Sequence, residues 1–142
     1  MNDGDDDFLG AAYHEAGHAV VALALGLRVA RVEVVPEDHS GATDVEPADH
    51  LPIEDRIALC VGGMNANDMF NAPTHDLATF GDHVLVLELI RNVNDADGDV
   101  LRDKGHQRAW DLLKAHASGV EDIAMQLLIM RKIDLTGYIL KR

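Results

Sequence analysis

A chain of 142 residues, 47% apolar and 26% charged, is large enough for one folded domain with its own core. Its net charge of -13 opposes nucleic acid and anionic membrane surfaces, and no basic cluster longer than the pairs Arg131-Lys132 and Lys141-Arg142 offsets it. The lone cysteine, Cys60, excludes an intrachain disulfide, the acidic start is the reverse of a signal peptide, and the apolar run from Ala19 to Leu27 is about half a bilayer span, so a cytoplasmic protein without a membrane span is expected.

Residues 1–8 read as an acidic, flexible segment, and residues 9–142 as a single domain. Asp5 to Asp7 are placed to cap a first helix running from about Leu9 to Leu25 and stopped by Gly26. Its apolar positions lie all round, the pattern of a helix buried on most sides. Val29 to Val35 alternates as a strand, with Ala30, Val32 and Val34 on one face and Arg31 and Glu33 on the other, ended by Pro36. After a turn over Glu37 to Ser40, Gly41 to Val45 returns as a second strand. Pro52 opens a second helix toward Phe70, locally weakened by Gly62-Gly63. Thr74 is placed to cap a third helix, with Asp76, Phe80, His83, Leu87 and Ile90 on one side. Asn92 to Asp99 reads as an acidic loop; calcium is excluded there because Val100 and His106 stand where a calcium loop needs glycine and glutamate. Two more helices, about His106 to Ala117 and Val120 to Lys132, precede a short tail. Met125 to Met130 is expected to pack inside, with a subunit interface, and hence a homo-oligomer, as the alternative. The fold class is mainly α (α+β), with a small β-hairpin after the first helix.

Chemistry concentrates at His14-Glu15-Ala16-Gly17-His18. On a helix, residues four apart share a face, so both imidazoles can reach one ion at about 2.0–2.1 Å. Glu15 is offset beside that ion, placed to act as base toward a zinc-activated water, the logic of H-E-x-x-H metallopeptidases. If the match were coincidental, a largely apolar helix would bury two imidazoles and a carboxylate at about 2–7 kcal/mol each. Gly17 costs about 1 kcal/mol against Ala, which points to a close neighbour. Catalytic zinc takes a third protein ligand. The metzincin third histidine is absent, since Ala24 holds its place. Glu33 and Glu54 are candidates, each more simply read as a surface carboxylate.

Tyr13-His14-Glu15-Ala16-Gly17-His18-Ala19-Val20-Val21 resembles the zinc helix of the FtsH-type ATP-dependent proteases. Val34-Val35-Pro36, Gly41-Ala42-Thr43, Gly62-Gly63 with the residues up to Asp68, and His75-Asp76-Leu77 match further segments of that family in order. The resemblance implies a zincin-like helical peptidase domain with His14, His18 and Asp76 as zinc ligands and Glu15 as catalytic base, and His75 and His83 as rival or supporting groups. It also implies a peptide or unfolded polypeptide substrate pairing with an edge strand. The phosphate loop and membrane spans of that family have no counterpart here, so the chain is expected to cut flexible segments without ATP or to borrow a separate unfoldase. A metal-stabilised module that binds peptides or regulates a protease without cleaving is the alternative.

Overall fold

The computed structural model describes residues 3–35, 40–74 and 76–140. In chain order the elements are α1 (Asp3–Ala24), β1 (Val29–Val35), β2 (Ser40–Val45), α2 (Ile53–Met69), α3 (Asp76–Ile90), α4 (Asp95–Ala115), α5 (Ala117–Met130) and β3 (Lys132–Asp134). The expected mainly helical class with a hairpin after the first helix is what the chain adopts. Pro36, the turn residues Glu37 to His39, and His75 lie outside the described residues.

α1 forms the spine of the core. Ala12, Ala16, Ala19, Val20, Val21 and Ala22 are completely buried, as small apolar residues all round a helix require. It begins at Asp3, so the acidic segment contributes its first turns instead of lying outside it. It ends in a Schellman motif: Gly26 takes φ 84°, and the amides of Gly26 and Leu27 donate to Leu23 O and Ala22 O at 3.0 Å each. A left-handed residue at that position is nearly free of strain only for glycine.

α2 crosses α1 at glycines on both sides. A Cβ on Gly17 would run into Gly62 O and stand 2.5 Å from Ala66 Cβ, and one on Gly63 would lie 2.7 Å from the His14 ring. α2 runs through Gly62-Gly63 without a break, and the pair lets the two helices touch. Overpacking such a contact costs about 1–3 kcal/mol, more than the roughly 1 kcal/mol that alanine returns in helix propensity. Gly17→Ala is accordingly expected to lower the denaturant midpoint of unfolding, although alanine is the better helix former.

The sheet has the order β2-β1-β3, antiparallel throughout. Val29 opposes Val45 and Val32 opposes Thr43, so β1 carries one extra residue, a bulge. The bulge corrects the expected strand faces: Val29, Val32 and Val34 are buried, while Ala30 is exposed. β3 was expected as tail; Ile133 pairs with Val32 and enters the core. The acidic loop is also corrected. Asn94 caps α4 by accepting the Asp97 amide at 2.9 Å, and Asp95 and Asp97 lie in its first turn, where the helix dipole favours them.

Of the expected α3 stripe, Ile90 packs on the core with Leu89 and buried Val86, whereas Phe80 and Leu87 are 67% and 54% exposed. The turn leading into it is clamped to α1. Asn67, 1% exposed, donates through Nδ2 to Pro73 O at 2.7 Å and Gly10 O at 3.1 Å. In α5, Leu127 is buried but Met125, Ile129 and Met130 are exposed, so only part of that apolar run packs inside.

Candidate metal centre

Four side chains meet where α1, β2 and α3 converge. His14 and His18 project from one face of α1, as their spacing requires. His18 Nδ1 lies 2.8 Å from Leu59 O on α2. A carbonyl only accepts, so Nδ1 carries the hydrogen, and in the neutral ring Nε2 is left with a lone pair. That nitrogen is 3.1 Å from His14 Nε2. Asp82, from α3, closes the group: its Oδ2 is 3.0 Å from His14 Nε2 and 3.3 Å from His18 Nε2.

The three atoms form a nearly equilateral triangle. Tetrahedral zinc with nitrogen and oxygen ligands at about 2.0–2.1 Å keeps those ligands roughly 3.3 Å apart, so the triangle has the size of one face of that tetrahedron. With both rings neutral the short distances do not make a satisfied hydrogen-bond network, and Asp82 Oδ2 is buried without a partner. The donor set thus suits a shared cation, whether a proton or a metal ion. Among the described residues, His14, His18 and Asp82 are the group of His, Cys, Asp or Glu side chains able to hold a metal.

Charge supports the same picture. Burial lowers the pKa of His18, but hydrogen bonding to Asp82 and the charges of Asp82 and Glu15 outweigh it and raise it to about 9. Burial raises that of Asp82, and bonds from His14 and His18 reverse this, holding it at about 2. In the metal-free protein at neutral pH a proton therefore sits on His18, and a metal must displace it. Zinc uptake at pH 7 is expected to release about one proton per ion, with affinity rising with pH until about 9. Calorimetric titration in two buffers of different ionisation enthalpy measures the release. Cys60 borders the cleft but is outside the metal group, and burial, then Asp82, pushes its thiol up to about 11.

Glu15, 8% exposed, is held on the β2 side of the triangle. Thr43 Oγ1 donates to its Oε1 at 2.8 Å. Gly41 lies so close that a Cβ there would stand 2.6 Å from Glu15 Cγ. β2 thus packs directly on the carboxylate and fixes where it points. His14, Glu15, His18, Thr43 and Asp82 all open into one cleft of about 530 Å³, with Leu59, Cys60 and Leu85 forming its apolar wall.

No protein-family model matches this chain, and no curated protein does. The site stands on its own geometry.

Of the residues singled out in the sequence, His14, Glu15 and His18 come together. Asp76 opens α3, but its side chain lies outside the described residues, and Asp82, which the sequence reading did not select, supplies the carboxylate at the triangle. His83, next to it, is exposed. Glu33 is half-buried in the central strand, opposite Ala42 and Lys132, and Glu54 stands 3.9 Å from Lys104; neither joins the metal group. The signal for Asp82 was its place on the stripe with Val86 and Leu89, four and seven residues on, where an acid has no ordinary reason to sit.

Proposed function

We propose that this chain is a zinc-dependent peptidase of the FtsH type in its chemistry, cutting extended or unfolded polypeptides. The observation that carries the reading is the zinc-sized triangle of His14 Nε2, His18 Nε2 and Asp82 Oδ2 with the Glu15 carboxylate in the same cleft. Zinc held by His14, His18 and Asp82 supplies Lewis acidity toward a carbonyl and makes water a nucleophile near neutral pH. Glu15 takes the proton from the attacking water and passes it to the leaving amine. Thr43 keeps Glu15 in place through both transfers. A purely structural metal site has no use for such a carboxylate.

The substrate class follows from the sheet. Among the described residues β2 is an edge strand running past Glu15, and its outer edge is placed to offer main-chain hydrogen bonds to an extended peptide. That mode requires flexible chain, so unfolded proteins and peptides are the substrates. No helix of the described residues is long and apolar enough to cross a membrane, and a cytoplasmic location is part of the proposal.

The test is digestion of unfolded casein by zinc-loaded protein. Cleavage that stops with chelator and returns with zinc supports the reading. Stoichiometric zinc with no cleavage would turn it to the non-catalytic peptide-binding module.

A further inference from the structure

A second cavity, of about 740 Å³, adjoins the cleft across two shared residues, Val45 and Glu46. Its lining is mostly apolar, with Leu23 and Leu27 from the end of α1 and Leu135 and Tyr138 from the segment after β3. Its acidic groups are engaged: Glu46 accepts the Arg28 amide at 2.8 Å, and Asp44 pairs with Arg31 at 3.5 Å.

Strand geometry ties this cavity to the cleft. Gly41 and Thr43 both face Glu15, and strand side chains repeat every second residue. Val45 therefore points the same way, which fits its half-buried state between exposed Asp44 and the strand end. The extra residue of the bulge is on β1, so this alternation on β2 is uninterrupted. A peptide paired with β2 puts its side chains on the faces used by the residues opposite. If one peptide residue stands opposite Thr43, the next on the same face stands opposite Val45, about 7 Å along.

We infer that the second cavity is a specificity subsite, taking a large aliphatic or aromatic side chain two residues from the bond presented to Glu15. The inference rests on the peptidase reading and adds a substrate preference to it. Small side chains leave the apolar lining wet.

The test uses quenched-fluorescence decapeptides in which a single Leu is walked along a Ser/Gly sequence, with cleavage sites located by mass spectrometry. Zinc-loaded wild type is expected to cut roughly tenfold faster in kcat/KM when Leu lies two residues from the cut than when Ser does. Ala30, exposed beside the cavity, is replaced by Trp to fill it; in Ala30→Trp the Leu/Ser ratio should fall toward one. A wild type indifferent to that position, or an Ala30→Trp protein that keeps the preference, overturns the subsite. If no peptide is cut, the peptidase reading fails. Anisotropy titration of the same peptides against zinc-loaded Glu15→Gln then decides the subsite separately: tighter binding of a Leu peptide, lost in Ala30→Trp/Glu15→Gln, supports it, and equal affinities overturn it.

Discussion

Asp82→Ala is expected to abolish stoichiometric zinc, whereas Asp76→Ala should retain it. Removing outer partners of metal ligands already costs about 10–100-fold in affinity, and a lost ligand costs at least the upper end of that. Asp76 opens α3, six residues or about 9 Å of helix axis before Asp82. Asp82 Oδ2 is the carboxylate atom within 3.3 Å of both imidazole nitrogens. Elemental analysis after dialysis against a weak chelator separates the cases, and loss of zinc from Asp76→Ala alone would sink the assignment of Asp82. Circular dichroism of both variants guards against misfolding.

The second large effect is expected at Glu15→Gln. Glutamine keeps the shape and can still accept from Thr43 Oγ1, but it cannot take a proton. General acid–base groups contribute about 10²–10⁴-fold, so kcat should fall by that much while zinc content and thermal stability stay near wild type. A Glu15→Gln protein that still digests casein at the wild-type rate removes the base from the mechanism.

The kind of signal decided how much of the fold and the site was legible from residues alone. The first helix and its two histidines were legible because a four-residue spacing has a single geometric meaning on a helix, and Gly26 marked its end. Gly17 correctly announced a close neighbour, though not that the neighbour was Gly62. Asp82 was hidden because α3 is apolar nearly all round. Phe80 and Leu87 made as plausible an inner stripe as Val86 and Leu89, and only packing chose between them. The bulge in β1 reassigned Val29 and Ala30, since one inserted residue shifts every side chain before it to the other face. β3 is three residues long, too short for alternation to register. The acidic stretch before α4 hid a cap: Asn94 made a helix start where charge density suggested a loop.

The placement of Asp82 has a mechanical consequence. α1 and α2 are pressed together at their glycines, but α3 reaches the centre from roughly 64 residues further along the chain than His18, and an ion shared between them is a reversible crosslink. Closing a loop of that length removes unfolded-state entropy equivalent to about 4 kcal/mol on the scale used for disulfides. With one cysteine, the chain would gain from a bound ion the tether that no intrachain disulfide can give it.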